Sequence, residues 1–136
     1  MKGEAHQGSC LCQRVRFVFE GSFARFFLCH CHHCRKDTGS AHAANLFAPT
    51  GDLQWLSGAD QVRRFSLPGT RHVRSFCGHC GTALPYQDVA DGFYVVPAGC
   101  LDSTLALRPD AHLFADSRAG WDRELDQLPS FPALPS

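Results

Sequence analysis

Seven of the eight cysteines lie in three short motifs whose spacings are typical of metal ligands. In chain order the motifs are Cys10-Leu-Cys12, Cys29-His-Cys31-His-His-Cys34 and Cys77-Gly-His-Cys80, the last followed by Gly81, and Cys100 stands alone. Thiolates bind zinc well, and a structural zinc site takes four ligands in a tetrahedron. In a reducing compartment these cysteines predict metal binding rather than a disulfide framework.

The ligand count divides the cysteines unequally. A CxxC loop with Gly81 after it turns backbone N–H groups toward the sulfurs, but Cys77 and Cys80 still need two more ligands. Either the Cys10/Cys12 pair or the central motif could supply them. In the first pairing, a four-thiolate site is closed and three cysteines remain, namely Cys29, Cys31 and Cys34. Three protein ligands with one exchangeable position are the pattern of a catalytic zinc.

Other side chains could close this second site and make it structural. The candidates are His30, His32, His33, His42 and Cys100. His30 and His32 are wedged between ligands of one loop, so His33 or a distant group is the better candidate. An isolated cysteine is more often a small buried hydrophobe, which we favour for Cys100. The CxxC pairs could instead cycle as dithiols, although no βαβ pattern surrounds either of them.

The histidines beside the cysteines are candidate proton donors. In an extended loop, alternation would turn His30 and His32 away from the sulfurs of Cys29 and Cys31, toward a solvent-facing or supporting role. We therefore favour His33 as the donor.

Short alternating segments predict a mainly β fold of antiparallel strands. In RVRFVFE, Val15, Phe17 and Phe19 share one face, as in a half-buried strand. Further strands are predicted at 44–49, 53–56, 62–67, 72–77 and 93–99, with Gly-, Pro- and Asp-rich turns between them. Residues 33–40 predict one or two helical turns. In the tail we expect a short turn near residues 118–125.

The C-terminal tail is rich in proline and carries the apolar residues Trp121, Leu125, Leu128 and Phe131. We expect it to wrap over the core or to be partly mobile. We expect residues 8–131 to form one domain, with terminal tails at 1–7 and 132–136.

The overall charge gives no general attraction to nucleic acid or to an anionic membrane. Thirteen basic and thirteen acidic side chains balance in 136 residues. The N-terminal sequence has no apolar region of the kind found in secretory signals, and no apolar run approaches the roughly 18 residues of a membrane span. We therefore expect a cytoplasmic protein without nucleic-acid or membrane partners.

The motifs together resemble one family. The segments GSCLCQRVRF, CHCHHCRKDTG, RSFCGHCGTAL and PDAHLFADSRAGWDRELDQLPSF, in this order and spacing, resemble the glutathione-dependent formaldehyde-activating enzyme family, which also includes centromere protein V. The resemblance covers residues 8 to about 131. It implies small antiparallel sheets in a β-tent fold and two zinc ions per chain.

The resemblance also implies roles for the cysteines. Cys10, Cys12, Cys77 and Cys80 would hold a structural zinc, and Cys29, Cys31 and Cys34 a catalytic one. The implied activity is that of a carbon–sulfur lyase that joins formaldehyde to the thiol of glutathione, giving S-hydroxymethylglutathione. Arg35 and Lys36 would then bind glutathione carboxylates or lower the cost of an anionic zinc–thiolate group, unless they are solvated surface charges.

Two other functions compete with this interpretation. A binding module for a protein partner, with both zinc ions structural, is suggested by related β-tent proteins that bind small GTPases. A zinc ribbon that binds nucleic acid would fit the CxxC motifs, but the chain lacks a basic face.

Overall fold

Eleven β-strands and one short α-helix form the fold of residues 3–135, which the computed structural model describes. The strands are β1 (Glu4–Ser9), β2 (Arg16–Gly21), β3 (Arg25–Cys29), β4 (Ala43–Ala48), β5 (Asp52–Ser57), β6 (Val62–Ser66), β7 (Val73–Cys77), β8 (Ala83–Leu84), β9 (Tyr86–Gln87), β10 (Tyr94–Pro97) and β11 (Ala111–Leu113). The helix α1 spans His32–Thr38. Single 3₁₀ turns lie at Ala59–Gln61, Ala98–Cys100, Ala115–Ser117 and Leu125–Gln127.

The strands form three small sheets. Their orders are β1-β2-β5, β11-β3-β4-β10-β9 and β6-β7-β8. Every pairing is antiparallel except that of β11, which runs parallel to β3. The prediction of a mainly β protein with small antiparallel sheets is therefore confirmed.

The inward face of β2 and the residue just before the strand form the centre of the core. Val15, Phe17 and Phe19 are fully buried, as their alternation with charged residues predicts. Phe17 lies opposite Trp55 of β5, and their rings meet edge to face with centroids 5.8 Å apart. Apolar burial of this kind supplies most of the free energy that holds the sheets together.

All six segments predicted as strands form strands, and the helix begins one residue earlier and ends two residues earlier than predicted. Five strands were missed: β1, β3, β8, β9 and β11. β1 buries His6, Gly8 and Ser9, which give no apolar alternation. β8, β9 and β11 are only two or three residues long. Residues 4–7, predicted to belong to a terminal tail, lie in β1.

The tail was expected to wrap over the core or to be partly mobile, and its apolar residues do not cover the core. Trp121, Leu125, Leu128 and Phe131 are between 45% and 64% exposed. Turns shape part of the tail, among them one with a hydrogen bond from the Asp122 N–H to the Ala119 carbonyl (3.0 Å) within the predicted turn.

Residues 3–135 contain no helix with the length and apolarity that crossing a bilayer requires.

Replacing Gly8 with Ala should lower the free energy of unfolding by about 1–3 kcal/mol, as overpacking of a core does. A Cβ at Gly8 would press on the Phe17 ring and lie 2.7 Å from the Cys100 carbonyl oxygen. Chemical denaturation of both proteins measures the difference. Gly120→Ala is the matched control, because a Cβ there has no neighbour within 4 Å. Equal stability of the two variants would contradict this packing.

Candidate metal centres

The first and third cysteine motifs meet in one group of four sulfurs. The Sγ atoms of Cys10, Cys12, Cys77 and Cys80 all lie within 4.8 Å of one another. The Cys10–Cys12 and Cys12–Cys77 separations are 3.5 Å and 4.0 Å. A tetrahedron with zinc–sulfur bonds of about 2.3 Å has sulfurs about 3.8 Å apart. The four-cysteine group could therefore hold a zinc ion with little rearrangement.

Backbone turns at both ends bring these four sulfurs together. After β1, the Cys10 N–H donates to the Val15 carbonyl, and the Val15 N–H donates back to Cys10 Sγ at 3.2 Å. After β7, the Gly81 N–H donates to the Cys77 carbonyl at 2.8 Å, with Gly81 at φ 81°. This left-handed conformation favours glycine, as the sequence predicts for the position after the CxxC motif.

Thr82 stabilises the thiolate form of Cys80, which is the form that binds a metal cation. Its hydroxyl oxygen accepts a hydrogen bond from the Leu11 N–H (2.9 Å), so its own hydrogen is free for Cys80 Sγ, 3.2 Å away. This hydrogen bond to Thr82 is the main cause that lowers the pKa of Cys80 to about 5. Cys80 is therefore a thiolate near neutral pH. Sequence reasoning missed Thr82, although it directly follows the CxxCG motif.

The central motif forms a second group of three sulfurs. Cys29 ends β3, Cys31 caps the N-terminus of α1, and Cys34 lies in its first turn. The Cys34 N–H donates to Cys31 Sγ at 3.3 Å, and the three Sγ atoms lie within 4.8 Å of one another. The donor set is all thiol, which suits zinc.

No fourth Cys, His, Asp or Glu among residues 3–135 completes this group of three. The residues that the sequence leaves open as a fourth ligand all lie outside it: His30, His32, His33, His42 and Cys100. Cys100 is buried in the core, where its Sγ donates to the Pro97 carbonyl (3.1 Å) and burial raises its pKa to about 12. The interpretation of Cys100 as a small core residue is confirmed.

Burial keeps two thiols of the group protonated. It is the largest cause that raises the pKa of Cys34 far above the ordinary thiol value, and it also raises the pKa of Cys29. A divalent cation reverses this preference, because a coordinating thiol loses its proton.

A cleft of about 330 Å³ opens beside the three-cysteine group. Cys29 and Cys34 lie in its wall together with apolar side chains from β3 and β4, such as Phe27 and Phe47. The polar and charged residues of its lining include Asp37, Arg71, His72, Arg74 and Tyr86. Pockets that bind small molecules share this pattern of an apolar wall with a few polar groups.

Arg71 and Arg74 bring positive charge to this cleft. Arg71 lies 3.4 Å from Asp91, but the two side chains are 84% and 63% exposed, so the pair holds Arg71 weakly. Arg74 donates to the Gly81 carbonyl at 3.1 Å. Their place in the cleft could not be predicted, because they are remote in sequence from the central cysteine motif.

Arg35 and Lys36 do not line the cleft. The Arg35 guanidinium donates to the Ser117 carbonyl (3.0 Å) and so ties α1 to the tail. Lys36 is exposed and borders a neighbouring apolar groove with Phe65 and Leu67. Their contact with glutathione stays a prediction, and direct binding would require Arg35 to leave Ser117.

Of the solvent-facing and supporting roles expected for His30, the structure excludes the solvent-facing one. His30 is fully buried, and its Nε2 shares a hydrogen bond with Nδ1 of His112 in β11 (2.8 Å). Its Nδ1 lies 3.4 Å from a carboxylate oxygen of Asp122, which also lies 3.4 Å from Nε of Arg118. Burial is the main cause that lowers the pKa of His30. The parallel strand β11 and the returning tail, which the sequence did not reveal, bury this histidine.

His32 and His33 are exposed and lie outside the lining of the cleft. His33 instead borders the apolar groove, with its ring centroid 5.5 Å from that of His72. The structure therefore gives no support to His33 as the favoured proton donor. His72, which the sequence analysis passed over, lies in the cleft itself.

Fold and site define a small, mainly β protein with two cysteine-only centres, one of four thiols and one of three beside a cleft. The model of the glutathione-dependent formaldehyde-activating enzyme family matches residues 5–117, and the chain belongs to this family. A crystal structure of a Rhodobacter sphaeroides protein is similar, with a TM-score of 0.55 and 26% sequence identity. That match covers 82% of this chain and 99% of the other. Among curated proteins, none matches significantly.

The variants Cys80→Ser and Cys34→Ser should differ in their effect on the stability of the fold. Cys80→Ser should lose one zinc ion and the cooperative fold, because the binding free energy of a structural zinc is folding free energy. Cys34→Ser should keep one zinc ion and unfold cooperatively. Elemental analysis and thermal unfolding of the two variants test this division. Equal loss of stability in both would contradict it.

The zinc affinity of the three-cysteine site should increase as pH rises through the neutral range. Cys29 and Cys34 have raised pKa values and must each release a proton to bind metal. Each proton released makes the affinity rise by up to about tenfold per pH unit. Competition with a chelator at several pH values measures this, and Cys34→Ser, which keeps only the four-cysteine site, gives the background. A pH-independent affinity would contradict the assignment.

Proposed function

We propose that the protein is a zinc-dependent carbon–sulfur lyase that adds the thiol of glutathione, or of a related compound, to formaldehyde. The observation that carries the proposal is the incomplete group of Cys29, Cys31 and Cys34 in the wall of a cleft. Membership of a family named for glutathione and formaldehyde supports the choice of substrates. The four-cysteine group would then hold the structural zinc.

The reaction forms one carbon–sulfur bond. The thiol sulfur attacks the carbonyl carbon, the carbonyl electron pair moves to oxygen, and the thiol proton ends on that oxygen. When bound, zinc supplies an open coordination position and a positive charge that favours the thiolate form of a thiol. The role of Cys29, Cys31 and Cys34 is to hold that charge at the cleft while leaving room for the substrate sulfur.

The remaining cleft residues suit the rest of the substrate. Arg71 and Arg74 offer guanidinium groups for the carboxylates of glutathione, to which the planar Arg fork is well matched. Tyr86 remains a neutral phenol near pH 7, since burial raises its pKa to about 12. It can therefore donate a hydrogen bond to the aldehyde oxygen. Phe27 and Phe47 line the apolar side of the cleft.

The proposal places the protein in the cytoplasm. All eight cysteines are free thiols, and a reducing compartment keeps them available as metal ligands.

Cobalt in place of zinc tests the open position directly. Millimolar glutathione should change the thiolate-to-metal charge-transfer bands of the cobalt protein, because a further sulfur joins the metal. S-Methylglutathione, which lacks a free thiol, should leave the bands unchanged, as should glutathione added to the Cys34→Ser variant. The zinc protein should accelerate the exchange between glutathione and formaldehyde, and exchange NMR measures this against the uncatalysed rate.

A non-catalytic binding module is the second candidate function. The exposure of Trp121, Leu128 and Phe131 favours it, since these apolar side chains could meet a protein partner. Unchanged cobalt bands at millimolar glutathione would support this module and contradict the enzyme.

A further inference from the structure

A hydrogen-bonded histidine and carboxylate lie beside the three-cysteine group. His72 immediately precedes β7, and Asp37 lies on α1 one turn after Cys34. Nε2 of His72 is hydrogen-bonded to a carboxylate oxygen of Asp37, and the two side chains are only 17% and 24% exposed. Both line the cleft that Cys29 and Cys34 also line. This pair is accounted for neither by metal binding nor by the core.

The addition reaction needs a group that can both take and return a proton. The thiol loses a proton as the carbon–sulfur bond forms, and the alkoxide oxygen that results must gain one. The guanidinium groups of Arg71 and Arg74 do not give up protons, and the phenol of Tyr86 holds its proton near neutral pH. Imidazole is the side chain suited to both halves of the transfer.

Two histidines line the cleft, and their surroundings differ. The ring of His42 packs against the buried His30, with centroids 5.1 Å apart, and its Nδ1 lies 3.3 Å from the carbonyl of Ala43. His72 has a carboxylate partner instead. An Asp that accepts from one ring nitrogen fixes the tautomer and leaves the lone pair of the other nitrogen free to accept a proton.

We propose, resting on the function proposed above, that His72 is the proton carrier of the reaction and that Asp37 is its positioning residue. His72 accepts the proton that the thiol releases and returns it to the alkoxide oxygen that forms when sulfur attacks the carbonyl carbon. The imidazole ends as it began, so the balance is one thiol plus one formaldehyde giving one S-hydroxymethyl thioether. In the reverse direction the same group removes the hydroxyl proton and returns it to sulfur.

The charges around His72 come from several elements. Three of these residues lie on α1. Asp37 is hydrogen-bonded to the His72 ring. His33 and Lys36 border the apolar groove that His72 also lines, and the His33 ring lies near that of His72. Arg71 and Arg74 flank His72 in the sequence, and Tyr86 of β9 shares the cleft. The carboxylate of Asp37 is the group hydrogen-bonded to the ring, so it lies next to the positive charge that the ring carries during transfer.

The same pair also ties α1 to the third sheet, so the test must separate proton transfer from support. His72→Asn keeps a donor for Asp37 but cannot carry a proton. His72→Ala leaves space for added imidazole. Asp37→Asn removes the acceptor that fixes the ring, and Asp60→Asn, in an exposed 3₁₀ turn away from the cleft, is its matched control.

The experiment measures three quantities for the full-length zinc protein and each variant: zinc content, glutathione binding to the cobalt form, and formaldehyde–glutathione exchange by NMR at pH 7. His72→Asn should lower the catalysed rate by about 100-fold, in the range of general acid–base catalysis. It should keep two zinc ions and a glutathione affinity within about threefold of the wild type. Asp37→Asn should lower the catalysed rate about tenfold, and Asp60→Asn should leave it unchanged. Imidazole should restore much of the rate of His72→Ala without accelerating the wild type.

Each other outcome overturns the proposal. A rate for His72→Asn within about threefold of the wild type would show that another group carries the proton. The His72 variants could instead lose zinc or glutathione binding along with the catalysed rate, and imidazole could fail to restore the rate of His72→Ala. That result would show that the His72–Asp37 pair only supports the structure. If the wild type binds glutathione but does not accelerate exchange, the proposed enzyme fails and the proton carrier with it. If the wild type accelerates exchange and imidazole rescue fails, only the proton carrier fails.

Discussion

Repulsion between crowded thiolates is the constraint on which the rest of this structure depends. Seven sulfurs stand in two groups, each with all its atoms within 4.8 Å of one another. Negative charges so close cannot coexist without a cation, and burial adds to the cost at Cys34. Hydrogen-bond donors offset part of this cost. The backbone N–H groups of Val15 and Cys34 and the hydroxyl of Thr82 lie within hydrogen-bonding distance of sulfur atoms. These donors lower the cost only in part, so all the thiols of either group lose their protons together only where a cation is bound.

The two groups differ in what surrounds them. The four-cysteine group joins the turn after β1 to the end of β7, and Cys10 and Cys77 are part of the hydrophobic core. The three-cysteine group lies at the end of β3 and the start of α1, with a cleft on one side. A closed ligand set inside the core and an incomplete set at a cleft are the arrangements expected of a structural and an exchangeable metal.

Much of this arrangement could be predicted from the sequence because cysteine spacing and strand alternation are local signals. The three cysteine motifs and the strand around Phe17 follow from residues close together in the chain. Spacing alone left open which motif joins Cys77 and Cys80, and the family resemblance implied the pairing with Cys10 and Cys12. The burial of His30 could not be predicted, because it depends on His112 and Asp122 arriving from the far tail. His72 and Asp37 are likewise 35 residues apart, and no local pattern around either residue predicts that the two are hydrogen-bonded. Arg35 next to Cys34 suggested a ligand contact, yet its side chain turns to Ser117.

The parallel pairing of β11 with β3 has a consequence for the order of events during translation. His112 contacts His30 across a separation of 82 residues, and the carbonyl of Leu113 accepts the His30 N–H at 2.9 Å. During translation, the central cysteine motif therefore leaves the ribosome long before the C-terminal segment that buries His30. Any metal bound at that stage would therefore meet His30 still open to water, before the tail packs against it.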